Sequence, residues 1–152
     1  MSKNQKILIV EGRFYRDIAD SLADGMVNEI QKAGFDYERI PVPGAFEVPT
    51  AILMAMKSTK LADVTQYAGY IASGCVIRGE TDHYEYICRE TSRAIMNIST
   101  DYGVAVGFGI LTCENLEQAV ERASPAKKNK GGDAAKACLR LIELQEYFKL
   151  IK

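Results

Sequence analysis

The chain is poor in the residues that build metal and redox centres. It has one histidine, His83, in 152 residues, and its four cysteines, at 75, 88, 113 and 138, form no C-x-x-C pair. A tetrahedral zinc site needs clustered Cys and His ligands, so no metal is expected. The thiols, most of them in apolar segments, read as buried and reduced. Basic excess is lacking too. Lys+Arg number 19 against 20 Asp+Glu, and a net charge of -1 argues against a nucleic-acid surface. No apolar run approaches the roughly 18 residues of a membrane span. The only early run, Ile7 to Val10, is too short for a secretory signal. Repeats, low-complexity tracts and linkers are missing. These absences point to a cytoplasmic protein with no membrane or nucleic-acid partner, folded as one domain over 1–152.

What is present is a regular alternation of apolar patterns. Ile7 to Val10 is a continuous run, as in a buried strand. Residues 16–33 carry Ile18, Leu22, Met26, Val27 and Ile30 at helical spacing, and Gly34 suits the position after that helix. Phe35 to Val42 reads as a second strand, ending at the turn Pro43-Gly44. Pro49 can open a helix over 50–60 that is apolar on several faces. Tyr67 to Ile77 is a third strand, 83–100 a helix, and Val104 to Leu111 a fourth strand. Residues 115–122 form a further helix. After a Lys-Asn-Lys-Gly-Gly loop, 133–150 forms the last one. Strands alternating with helices imply crossovers and a parallel sheet covered on both faces. The expected fold is α/β, a three-layer αβα sandwich with a four-stranded parallel, flavodoxin-like sheet. Ligands of such sheets bind beyond the carboxyl ends of the strands. Phe14, Gly44 to Glu47, Ile77 to His83 and Phe108 to Thr112 are all expected there.

The stretch Gly74-Cys-Val-Ile-Arg-Gly-Glu-Thr-Asp-His83 is the most informative in the chain. Gly74, Gly79 and Thr81 nearly make a G-x4-G-K-[ST] phosphate loop, but Glu80 stands where the lysine belongs. A carboxylate cannot replace the cation that reaches a nucleoside triphosphate. What remains is a turn able to aim backbone N–H groups at one phosphate, at a helix start whose dipole favours an anion. His83 follows within one helical turn. A phosphate cradle beside one titratable base suits proton transfer on a small phosphorylated substrate.

Blander readings stand beside this one. A lone histidine is usually a surface or hydrogen-bonded group. Arg122, among Glu117, Glu121 and Lys127, reads either as a solvated charge or as a bidentate clamp on phosphate, with Lys130 as a second cation. Phe14, Phe46 and Phe108 read as packing, or as flat walls for a planar heterocycle. Glu47 either caps the next helix or accepts hydrogen bonds from a polyol.

Six motifs together resemble the 6,7-dimethyl-8-ribityllumazine synthase family. They are Gly12-Arg-Phe14, Val42-Pro-Gly-Ala-Phe-Glu-Val-Pro49, Gly74 to Tyr84, Phe108-Gly-Ile-Leu-Thr112, Glu117-Gln-Ala-Val-Glu-Arg122 and Asn129-Lys-Gly131. They keep the family's order and span most of the chain. The resemblance implies condensation of an aminouracil bearing a ribityl chain with 3,4-dihydroxy-2-butanone 4-phosphate. An imine forms, phosphate leaves and the ring closes, with no metal or organic cofactor. It implies that Phe14 stacks on the pyrimidine, that Ala45, Phe46 and Glu47 hold that substrate, and that Glu47 meets the ribityl hydroxyls. Cys75, Val76, Ile77 and Phe108 would add contacts to the pyrimidine and ribityl chain. Glu80 through its backbone, Thr81, Arg122 and Lys130 would bind the phosphate, and His83 would move protons. It further implies a homopentamer with sites shared between adjacent subunits, icosahedral shells of pentamers in some members, and riboflavin synthase as a partner. Tyr15 departs from the family, where asparagine is common. The segment before the first strand, which in the family can join a neighbour's sheet, is short here. Two other classes compete: a shell protein that holds flavin or lumazine without turnover, and a flavodoxin-like electron carrier.

Overall fold

A computed structural model describes residues 5–62 and 67–151. Residues 1–4 of the short leading segment lie outside the described residues. Four parallel strands form one sheet in the order β2-β1-β3-β4. They are β1 (Lys6–Gly12), β2 (Asp36–Val42), β3 (Gly69–Ile77) and β4 (Val106–Cys113). The helices are α1 (Arg16–Lys32), α2 (Val48–Ala62), α3 (His83–Tyr102), α4 (Leu116–Ala123) and α5 (Lys130–Tyr147).

The apolar runs of β1 and β3 are explained by burial on both faces, since these are the central strands. Alternation along β1 divides the core. Ile7 and Ile9 pack with Ile18, Leu22, Met26 and Ile30 of α1, Ala119 and Ala123 of α4, and Ala135, Cys138 and Ile142 of α5. Leu8 and Val10 pack with Val48, Ile52 and Met56 of α2 and Ile95 and Ile98 of α3. The result is a three-layer sandwich with the flavodoxin-like order. The chain leaves β1 toward β2, then crosses to β3 on the other side. That reversal opens a crevice between the carboxyl ends of β1 and β3.

Three boundaries differ from the sequence reading. A short 3-10 turn, Ala45–Glu47, precedes α2, so the helix begins at Val48 and Pro49 falls inside its first turn. β4 runs two residues later than expected, to Cys113. Phe108 is therefore inside the strand, opposite Ala72, and not at its carboxyl end. The third difference is in the Lys-Asn-Lys-Gly-Gly segment: α5 begins within it at Lys130, with Asn129 as its N-cap, so its last three residues are helix and not loop. Asn129 takes the left-handed conformation (φ 47) and its Oδ1 accepts from the Gly132 N–H at 3.2 Å. Gly131 serves close packing of α5 on α1, and Gly132 leaves room for the capping Asn129 side chain. A Cβ at Gly131 would lie 2.2 Å from the Leu22 carbonyl oxygen.

Candidate active site

The crevice holds a cavity of about 640 Å³, within the size of small-molecule sites. The turn after β1 brings Phe14 and Tyr15 to its wall. The segment after β2 brings Pro43 through Glu47, the end of β3 brings Cys75, Val76 and Ile77, and the next turn brings Gly79 and Thr81. His83, Tyr84 and Ile87 come from the first turns of α3, at spacings that share one helix face. Of the residues singled out in the sequence, Phe14, Ala45, Phe46, Glu47, Cys75, Val76, Ile77, Thr81 and His83 thus meet in one cavity. Tyr84 and Ile87 were not anticipated. For Ile87, four residues beyond His83 and so on the same helix face, that spacing was the available signal.

Phe14 and Phe46 are 74% and 58% exposed, so both rings are free to receive a flat ligand. Phe14 is nonetheless held. Its ring meets Tyr15 edge-on, with centroids 4.9 Å apart and planes at 75°. The preceding residue is anchored on three sides: the Arg13 N–H donates to the Val42 carbonyl at 3.0 Å, and its guanidinium donates to Glu11 at 3.0 Å and Asp20 at 2.9 Å. Glu11 is only 2% exposed and also accepts two bonds from Arg39, at 2.7 and 2.9 Å. A buried carboxylate needs such pairing. The hydrogen bond from Arg13 holds the Asp20 carboxyl below its ordinary range.

The phosphate-like turn, residues 79–82, is exposed. The Thr81 hydroxyl accepts from the His83 N–H at 3.3 Å, and Asp82 gives the helix no side-chain cap. The Glu85 and Tyr86 N–H groups bond to the Asp82 carbonyl, at 3.0 and 3.4 Å, so the first turn of α3 is closed largely by the residues just before it. Burial, reinforced by the neighbouring Cys113, pushes the Cys75 thiol up to about 12, and burial also raises Cys88 and Cys113. Raised thiols of this kind are poor thiolate nucleophiles. Burial also raises the Tyr15 phenol.

Four expected site residues do not line this cavity. Glu80 lies in the turn between Gly79 and Thr81, which do line it. Phe108 is 47% exposed on β4. Arg122, half-buried on α4, donates to the Gln118 carbonyl at 3.3 Å. Lys130, the first residue of α5, pairs with Asp133 at 3.5 Å. Among the described residues, no three His, Cys, Asp or Glu side chains converge as a metal site, and no helix is long and apolar enough to cross a membrane.

The comparisons with known proteins agree with one another. A family model described as 6,7-dimethyl-8-ribityllumazine synthase matches residues 4–146. The protein of that name from Bartonella tribocorum is 49% identical over 148 residues, covering 97% of this chain and 95% of that protein. The one from Agrobacterium fabrum is 47% identical over 140 residues, covering 92% and 94%. The one from Erythrobacter litoralis is 48% identical over 143 residues, covering 94% and 97%.

Proposed function

The chain belongs to the 6,7-dimethyl-8-ribityllumazine synthase family, and from that premise we propose how its residues divide the work. It is a transferase of riboflavin biosynthesis. It condenses 5-amino-6-(D-ribitylamino)uracil with 3,4-dihydroxy-2-butanone 4-phosphate, releasing phosphate and water.

The proposal assigns the two substrates to the two halves of the cavity. The pyrimidine stacks on Phe14, with Ala45 and Phe46 beside it and Glu47 on the ribityl hydroxyls. The backbone of Cys75, Val76 and Ile77 borders the same ligand. The butanone phosphate lies toward the turn, where the Glu80 backbone, Thr81 and the α3 start hold its anion. The observation that supports this reading is the cavity itself, whose lining joins exposed aromatic rings to the Gly79–Asp82 turn and to His83, which follows that turn. The amine attacks the ketone, an imine forms as one water leaves, phosphate is eliminated, and the ribityl-bearing amine closes the ring on the remaining carbonyl as a second water leaves. Each step moves a proton, and His83 is the imidazole placed to take and return it. Holding both substrates together supplies the rest of the acceleration through proximity.

The protein works on small molecules and assembles as an oligomer. The finer reading is a homopentamer in which Arg122, Phe108 and Lys130 of one copy complete the cavity of the next. Their position outside the cavity of their own chain supports this. Arg122 and Lys130 would then clamp the phosphate. A shell of pentamers and association with riboflavin synthase extend the same reading, and free, buried thiols suit a reducing cytoplasm.

Mixing both substrates with purified protein tests the assignment. Lumazine fluorescence should rise with time in proportion to enzyme. Tight lumazine binding without product formation would instead favour a holding protein.

A further inference from the structure

The turn over residues 79–82 makes few contacts of its own. Its residues are exposed, and a Cβ at Gly79 would meet nothing within 4 Å. Backbone N–H groups bind an anion well only if they are already oriented when it arrives. The orientation must come from the flanks, and one residue reaches both of them.

Arg78 directly precedes the turn. Its N–H donates to the Cys113 carbonyl at 2.9 Å, fixing the end of β3 to β4. Its Nε donates to Glu114, beyond β4, at 2.8 Å. Its Nη1 donates to Glu85, in the first turn of α3, at 3.3 Å. The guanidinium carbon lies 4.3 Å from the centre of the Tyr84 ring. Tyr84 lines the cavity, and its hydroxyl meets Thr112 and Cys88. One side chain therefore spans the turn, from the residue before it to the helix after it. A single exposed ion pair adds little to stability. A planar guanidinium meeting two carboxylates and a ring is restricted to one geometry. Arg78 does not line the cavity, and its Nε and Nη1 turn to Glu114 and Glu85, which marks it as a positioning residue rather than a phosphate ligand.

We propose that Arg78, held by Glu114 and Glu85, is the brace that presets the Gly79–Asp82 turn for phosphate. This rests on the reading of that turn as the phosphate site. It makes a prediction opposite to that of charge alone. Removing a carboxylate near an anion site should strengthen anion binding by simple electrostatics. Removing Glu114 from a brace should weaken it.

The probe is inorganic phosphate, titrated into the assembled full-length protein by calorimetry and as a competitor of the butanone phosphate. Arg78→Met and Glu114→Ala should each weaken phosphate several-fold. The double variant should be no weaker than Arg78→Met alone, because both cut one tether. Arg78→Lys, which keeps the charge but not the fork, should fall between and guards against a folding defect. KM for the butanone phosphate should rise while KM for the pyrimidine stays put. Phosphate binding by Glu114→Ala equal to or tighter than wild type overturns the brace. Thr81→Ala separates the two levels. If it weakens phosphate while Glu114→Ala does not, only the brace fails. If wild type binds no phosphate, or Thr81→Ala changes nothing, the phosphate reading of the turn fails and the brace with it.

Discussion

His83 is the one imidazole in the chain, and it opens a helix directly after the exposed Gly79–Asp82 turn. His83→Ala should slow the condensation by about 10²–10⁴-fold, the usual share of general acid–base catalysis, and should leave a measurable rate. A correctly assembled variant with wild-type kcat would remove His83 from the mechanism. Cys75 gives the converse case. Cys75 lines the cavity, but its side chain is buried and burial pushes the thiol up to about 12, which disfavours a thiolate nucleophile. Cys75→Ala should keep kcat near wild type, and a loss as deep as that of His83→Ala would show that the thiol takes part. Most of the cavity was legible at this scale because its residues fall in three short motifs at strand ends. Tyr84 was not, since an aromatic one residue beyond a histidine carries no mark of its own. Nor was the Glu11 network. A carboxylate at the end of an apolar run looks like the edge of a strand until Arg13 and Arg39 are seen closing on it.

The elements also meet closely where β1 ends. A Cβ at Gly12 would lie 2.7 Å from the Gly44 carbonyl carbon and 2.8 Å from the Ala45 nitrogen, and both are backbone atoms that cannot swing aside. Gly12→Ala should therefore push the Ala45–Glu47 turn away from β1. The expected cost is about 1–3 kcal/mol of stability, typical of overpacking. KM for the pyrimidine should rise more than KM for the butanone phosphate. Denaturant unfolding and separate titration of the two substrates would measure both, and an unchanged midpoint with unchanged KM values would show that the turn yields freely. The alternation of apolar periods made the strand and helix order readable from sequence. The start of α5 was hidden because two adjacent glycines signal a loop, whereas here Gly131 lets α5 approach the Leu22 backbone on α1 and Gly132 makes room for the Asn129 cap. Phe108 was misplaced for a similar reason. The two glycines of β4 gave no hint of where the strand stops, and it runs on to Cys113.

At the scale of the whole molecule, the cavity of one chain contains an aromatic platform, a phosphate-type turn and His83, but not Arg122, Phe108 or Lys130. The motifs pointed to all of these residues. No single chain's sequence could say which of them come from the same copy, because that depends on how copies pack. The central claim is that a complete site takes residues from two copies. The most direct test co-assembles His83→Ala with Arg122→Ala, follows hybrid formation by native mass spectrometry, and measures the rate of lumazine formation. Some sites in each hybrid would carry both residues intact, so activity should rise above that of either parent. Hybrids that form fully yet remain at the mean of the two parents would contradict the claim and return Arg122 to the site of its own chain.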